Sequence, residues 1–417
     1  MSKLYTDAQT IINKSIADNM PQSAVRKALG SHKFYGKVYL FAVGKAAWAM
    51  AEAANKYLGT RVSGGVVITK YAHSKGAIGD LEIIEAGHPI SDENTILGTQ
   101  KILDIAQYLG EKDEVVFLIS GGGSALFEKP LKGITLSDIA AINRQLLACG
   151  ADIVEINMIR KRLSAVKAGR FAEICYPARI FTIVLSDVLG DRLDSIASGP
   201  AAPDLTSAEE ALAVIEKYDL KLKNSIREYI LKETPKKLHN VKTVISGSVS
   251  GLCESAAKTA KSLGYEPLIL CSDMKSEARE IGFLLSSIAC QIDKADSLKR
   301  PCAVILGGET VVHLKGSGKG GRNQETALAA AAGIEGLKDI LIFSAGSDGT
   351  DGPTDAAGGI VDGQTAQNLR EKNIKIDDVL KNNDSYNALK AVNALLFTGP
   401  TGTNVNDIAV ILAGRGA

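Results

Sequence analysis

"KVYLFAVGKAAWAMAEAANKYLGTRVSGGVVITK", residues 37–70, sets two strongly apolar runs on either side of an alanine-rich stretch. The runs KVYLFAVG and GGVVITK are apolar without strict alternation, which marks strands covered on both faces. Between them the pattern predicts a helix over 45–58. Two strands joined through a helix form the crossover unit of a parallel sheet.

The same alternation continues along the chain. LEIIEAG, EVVFLIS, RIFTIVLSDV, KTVISGS, PLILCSD, CAVILGGE, DILIFSAGS and DIAVILAG read as further strands. Helical patterns lie around 94–109, 135–149, 207–218, 250–263, 276–292 and 323–333. The expectation is an α/β fold with mostly parallel, Rossmann-like sheets flanked by helices. A length of 417 residues exceeds one ordinary core and implies two domains. The strand-free stretch 207–240 ends in a polar, Lys-rich segment with a proline, so the division is expected near 238, giving 1–238 and 239–417.

Composition narrows the function classes. With 45% apolar and 23% charged residues and a net charge of +1, no global field favours nucleic acid or a membrane surface. No apolar run approaches the roughly 18 residues of a membrane helix. The amphipathic N-terminus, broken by Asp, Asn and Lys, lacks the apolar core of a signal peptide. Six scattered cysteines without a C-x-x-C pair read as small core residues of a reduced, cytoplasmic protein.

In doubly wound folds ligands bind outside the carboxyl ends of the strands. Several strands here end in glycine-rich polar loops: VGKAA, SGGGSA at 120–125, SDVLGD at 186–191, GGET at 307–310 and SAGSDGTDG at 344–352. SGGGSA offers backbone N–H groups of Gly121, Gly122 and Gly123 together with the hydroxyls of Ser120 and Ser124, which suits a phosphate or a carboxylate. Lys45 follows Gly44 at a strand end, and Arg322 opens the helical run RNQETALAAAAG beside Asn323. A cation in a first helical turn opposes the helix dipole by about 0.3–1 kcal/mol, a penalty that an anionic ligand reverses. Both cations are therefore candidate phosphate clamps, replaceable without loss of the fold. Asp187, Asp191, Asp348 and Asp351 could supply oxygens to Mg²⁺, and Glu309 is a further ligand or base. An Asp in a glycine-rich turn equally serves as a turn former. His73, His88 and His313 show no metal-ligand spacing, which speaks against zinc.

TVVHLKGSGKGGRNQETALAAAAG, residues 310–333, spells two nucleotide motifs. A Walker A loop requires Gly six positions before its Lys and Ser or Thr after it; around Lys319 these are His313 and Gly320. Gly316, Gly318 and Gly321 do satisfy G-x-G-x-x-G. The acidic residue that should follow about 20 positions on is missing, Asp348 being later and in another turn.

Taken together, AVGKAA, EAGHPISDENT, LISGGGSALFEKP, INMIRKRLSAVKAGRFA, VLSDVLGDRLDSIASGP, GGETVVHLKGSGKGGRNQE, SAGSDGTDGPTDAAGG and TGPTGTNVNDIAVIL resemble the glycerate 2-kinase family with a MOFRL C-terminal domain. The likeness runs over nearly the whole chain. It implies transfer of a phosphoryl group from ATP, with Mg²⁺, to the 2-hydroxyl of D-glycerate, in a cleft between two α/β domains. It also implies Lys45 and Arg322 as the residues on which that site depends, with Asp187 and Glu309 nearby. Asp187 would orient or deprotonate the hydroxyl or bind the metal; the SGGGSA loop would hold a nucleotide phosphate or the glycerate carboxylate. An NAD(P)H-dependent hydroxypyruvate reductase is the alternative enzyme, and a non-catalytic anion or nucleotide sensor the alternative class. The sequence leaves a homodimer open.

Overall fold

The structure, a computed structural model, describes residues 2–295 and 298–415. It divides into two compact units, one of residues Ala24–Ser246, the other of residues up to Ser23 together with those from Gly247 on.

The Ala24–Ser246 unit is built on six strands: β1 (Lys37–Val43), β2 (Val62–Lys70), β3 (Glu82–Ala86), β4 (Asp113–Ile119), β5 (Arg179–Leu185) and β6 (Val241–Gly247). Their order is β3-β2-β1-β4-β5-β6. β1 runs parallel to β2 and β4, β2 to β3, and β4 to β5. The unbroken apolar runs follow from two covered faces. Phe41, Val43, Val115 and Phe117 join Ile102, Phe127 and Phe171 in one core. Leu40, Ala42, Val116 and Leu118 join Met50, Ala51 and Ala54, from helix Ala47–Leu58, in the other. The chain leaves β1 towards β2 and β3 and then returns to β1's other side as β4, so the order reverses between β1 and β4.

The second unit carries β7 (Glu266–Met274), β8 (Cys302–Gly308), β9 (Ile340–Gly346), β10 (Gly358–Asp362), β11 (Leu395–Leu396) and β12 (Asp407–Ala413), in the order β11-β10-β9-β12-β8-β7. Only β7 and β8 pair in parallel. β12 lies antiparallel to β8 and β9, and β10 antiparallel to β9 and β11. This mixed sheet departs from the mostly parallel expectation for a physical reason. Every residue of β12 is buried, and burial on both faces produces the same apolar run whichever way the strand points.

The units also differ from a linear cut at 238. The stretch 207–240 is not a linker. Helices Ala208–Lys217 and Asn224–Ile230 pack Ala211, Val214, Ile226 and Ile230 against Ile142, Leu146, Ile156 and Ile159 in a satellite core. β6 then completes the first sheet. Helix Lys3–Asp18 belongs to the other unit, where Ile11 and Ile12 pack with Leu252 and Ala256. Tyr265 Oη donates to Asp7 Oδ2 at 2.6 Å and Ser255 Oγ to Asp18 Oδ2 at 2.6 Å, fixing that helix at both ends. Among the described residues no helix is long and apolar enough to cross a membrane.

Candidate active site

In the Ala24–Ser246 unit the loops after β1 and β4 meet at the point of strand-order reversal, where open α/β sheets bind ligands. The two loops are bonded to each other. Ser120 N donates to Val43 O (3.0 Å), Lys45 N to Gly121 O (2.9 Å) and Ala46 N to Ser120 Oγ (3.1 Å). Lys45 therefore does not sit in the first turn of the helix, which begins at Ala47. It lies in the turn before it, with its carbonyl facing Thr69 Oγ1 at 3.4 Å and His73 Nδ1 at 3.1 Å. The root of this cation is thus fixed by three neighbouring segments.

Gly44 makes the junction possible. Its φ is +124°, and a Cβ there would lie 2.2 Å from Ser120 Oγ and 2.5 Å from Ser120 O. Gly44→Ala should lower the unfolding free energy by roughly 3 kcal/mol or more, from backbone strain plus overpacking. Urea unfolding checks this; a loss under about 1 kcal/mol would mean that the junction is loose.

Across the same loop Gly121 admits Asp187: a Cβ on Gly121 would stand 2.2 Å from Asp187 Oδ2. The position of a Cβ on Gly122 lies 3.2 Å from Lys45 Cε and 2.9 Å from His88 Nε2. Gly44, Lys45, Ser120, Gly121, Gly122 and Asp187 therefore come together. His88 joins them although its spacing carries no motif. Its only signal is its place after the β3 strand, in EAGHPISDENT. Burial, with the charges of Lys45, Lys70 and His73, holds the His88 imidazole below its ordinary range.

Ser124 turns away from this group, its hydroxyl 3.1 Å from that of Ser198. Asp191 lies in the Asp187 loop at φ +51°, and its buried Oδ1 has no hydrogen-bond partner among the described residues.

In the second unit Arg322 is gripped by two carboxylates. Nε and Nη2 donate to Asp407 at 2.6 and 3.2 Å, and Nη1 donates to Glu309 at 2.7 Å. Burial works against the guanidinium charge, but Asp407 and Glu309 outweigh it and hold Arg322 above its usual range. The Asp407 side chain is 4% exposed and that of Glu309 45%. Asp407 is thus the fixed partner, Glu309 the exchangeable one. Burial raises the Asp407 carboxyl above its usual range although Arg322 opposes it. No motif announced Asp407; its sole trace is the Asn-Asp pair that opens the β12 strand.

Other expectations for this unit need correction. Asp351 is no metal ligand here. Its carboxylate accepts from Asn323 N (3.1 Å) and Gln324 N (2.8 Å), capping helix Arg322–Gly333, and burial pushes it up to about 6. The anion at that helix start is thus the protein's own. Asn323 is buried, accepting from Ser344 Oγ at 2.6 Å and facing Asp351, so its amide is not offered to a phosphate. Asp348 closes a turn by accepting from Thr350 N and Oγ1 at 3.0 and 3.2 Å. Among the described residues no three His, Cys, Asp or Glu side chains are grouped to hold a metal.

The amides of residues 316–319 in the G-x-G-x-x-G segment are already used, so they are not offered to a phosphate. Lys315 N and Gly316 N donate to Asn383 Oδ1 at 2.8 and 3.1 Å, and Ser317 N to Asn382 Oδ1 at 3.2 Å. Gly318 N donates to Asn382 O at 2.9 Å and Lys319 N to Asp384 Oδ1 at 2.8 Å. Gly316 and Gly318 let this part of the chain lie close against Asn382 and Asp384, while a Cβ on Gly321 would stand 2.3 Å from Asp351 Cγ.

Residues 7–231 match the family described as "Domain of unknown function (DUF4147)" and residues 302–407 the MOFRL family. The chain is 53% identical over 401 residues to the D-glycerate 2-kinase of Thermotoga maritima, covering 96% of each. It is 46% identical to the glycerate 2-kinase of Pyrococcus horikoshii, covering 91% of this chain and 89% of that one. The crystal structure of a glycerate kinase from Thermotoga maritima superposes with a TM-score of 0.95 at 52% identity, over 98% of this chain and 99% of that one.

Proposed function

The chain belongs to the glycerate 2-kinase family, and on that premise we propose that it transfers the γ-phosphoryl group of ATP to the 2-hydroxyl of D-glycerate, giving 2-phosphoglycerate and ADP. The observation that carries this is the cluster at the strand-order reversal, where Lys45, the amides of the SGGGSA loop and the Asp187 carboxylate converge.

Phosphoryl transfer needs little covalent help from a protein; it needs positioned charge around the transferring group. Lys45, its backbone held before any ligand arrives, would neutralise the equatorial oxygens of the γ-phosphoryl group. The Gly121 and Gly122 amides would hold one anionic end of a substrate, the Gly123 amide being already bonded to Ser120 O at 3.2 Å. Asp187 would accept a hydrogen bond from the attacking 2-hydroxyl, orient it, and take its proton as the oxygen–phosphorus bond forms. Arg322 would receive a carboxylate or phosphate by exchanging the exposed Glu309 while keeping Asp407, since a guanidinium grips such groups with two parallel bonds.

Mg²⁺ commonly takes one or two protein carboxylates and completes its shell with water and phosphate oxygens. The orphaned Oδ1 of Asp191, in one loop with Asp187, fits that demand; Asp191 would hold an ion that, bound with ATP, spreads phosphate charge. We place the enzyme in a reducing compartment, the cytoplasm, in keeping with six free cysteines.

Incubation with ATP, Mg²⁺ and D-glycerate, followed by ³¹P NMR, tests the proposal. The expected product is 2-phosphoglycerate with an equal amount of ADP. A 3-phosphoglycerate signal would reject the regiochemistry, and no ADP would reject the kinase. Oxidation of NADH by hydroxypyruvate would support the reductase instead.

A further inference from the structure

Beneath the SGGGSA loop lie charged groups that touch no reacting atom. Lys167 is completely buried; its ammonium donates to Ser124 O at 2.7 Å and pairs with Glu128. Glu128 is itself buried, and its Oε1 has no hydrogen-bond partner among the described residues. Arg160, from helix Ile153–Leu163, adds its charge to the pair, and its own buried Nε is likewise unpartnered among them.

The loop is held by strained backbone as well. Ala197, Ser198 and Gly199 are all left-handed, at φ 49°, 62° and 66°, as are Ala168 and Gly169 at 54° and 80°. The two runs lock together: Ala168 N donates to Ser198 O at 3.1 Å and Gly169 N to Gly199 O at 2.7 Å. Ser198 meets Ser124 hydroxyl to hydroxyl, and a Cβ on Gly123 would stand 2.8 Å from that of Ala197. Non-glycine residues in this region are strained and persist only where the surroundings enforce them. A buried ion pair is often no more stable than an apolar pair of similar volume. Stability is therefore a poor account of these costly features converging on one short segment.

We propose that Lys167 is a positioning residue for the SGGGSA loop. By holding the Ser124 carbonyl against the left-handed shelf Ala197–Gly199, it fixes the Gly121–Ser124 peptide groups at the spacing an anionic oxygen requires. This rests on the loop's receiving an anionic group of a substrate. It has an electrostatic corollary. Burial pulls the Lys167 ammonium down to about 8, Glu128 opposing and Arg160 adding to the fall. Loss of the proton makes the group beneath the loop more negative by one charge and removes the donor to Ser124. Anion affinity should then be complete well below pH 8 and decline as the pH rises through it.

The test compares Lys167→Met, which leaves Glu128 unpaired, with Lys167→Met/Glu128→Leu, which removes both charges. The single variant should unfold more readily, and the double should recover most of that loss. At matched stability the double should still show at least threefold faster hydrogen–deuterium exchange across residues 119–126. Its KM should be at least tenfold higher for ATP or for D-glycerate, with kcat within threefold, and without the alkaline rise in KM near pH 8 shown by the unsubstituted protein. A double variant with unchanged exchange, or with unchanged KM for both substrates, would overturn the proposal. Failure of the unsubstituted protein to phosphorylate glycerate would instead sink the kinase function, leaving the exchange comparison to judge Lys167.

Discussion

Lys45→Met is expected to reduce kcat/KM by roughly 10²–10³-fold, the usual loss when one preorganised electrostatic stabiliser is removed, with the melting temperature nearly unchanged. The two halves of this expectation have separate causes. What the fold requires of residue 45 is its main chain: the N–H on Gly121 O and the carbonyl facing Thr69 and His73. Methionine keeps all of these and much of the apolar stem. What catalysis requires is the charge, which methionine lacks. Steady-state kinetics paired with a thermal melt checks the expectation. Activity within threefold of the original would remove Lys45 from the mechanism. A drop in melting temperature matching the loss of activity would make its role structural.

Arg322→Ala should behave differently, with a loss of activity of 10³-fold or more accompanied by a stability loss of roughly 2–3 kcal/mol, somewhat less than for a fully buried ion pair because Arg322 is one-third exposed. The expectation that this cation can be removed without harm to the fold fails on Asp407, which would stay buried without its counter-ion. The pH dependence follows. Burial already raises the Asp407 carboxyl, and loss of Arg322 raises it further. A carboxyl raised in the folded state favours folding most when protonated, so the deficit should be greatest at neutral pH and shrink on acidification. Urea unfolding at pH 7.5 and pH 5 measures this. Adding Asp407→Asn should return most of the stability but none of the activity. A deficit that does not change with pH would mean that Asp407 is not its source.

Lys45 and Arg322 look alike in sequence, each a cation following glycine at a helical run, and the difference between them shows what a sequence can carry. The ten main strands and the SGGGSA loop were legible because burial on two faces and tight turns leave local marks. Strand direction left none, so the antiparallel β12 passed as one more parallel strand. His88 and Asp407 escaped because their importance lies in neighbours remote along the chain. The glycine fingerprint at 316–321 misled for a related reason: what uses the amides of residues 316–319 is Asn382–Asp384, more than sixty residues downstream. A motif records that backbone is bare, not what covers it.

The position of β12 bears on how the protein is made. Five sheet-mates precede it in synthesis, yet β8 and β9 have their shared neighbour only once Asp407–Ala413 has left the ribosome. Until then both present open edges, the kind of surface that invites pairing with other chains. Helix Lys3–Asp18, translated well before its partners from Leu252 on, must wait for the same unit to close around it. The Ala24–Ser246 unit faces no such delay, its strands all being complete at Gly247. Translation thus delivers a finished Lys45 half while Arg322 still lacks Asp407, so nascent chains are most exposed to misassociation until β12 has emerged.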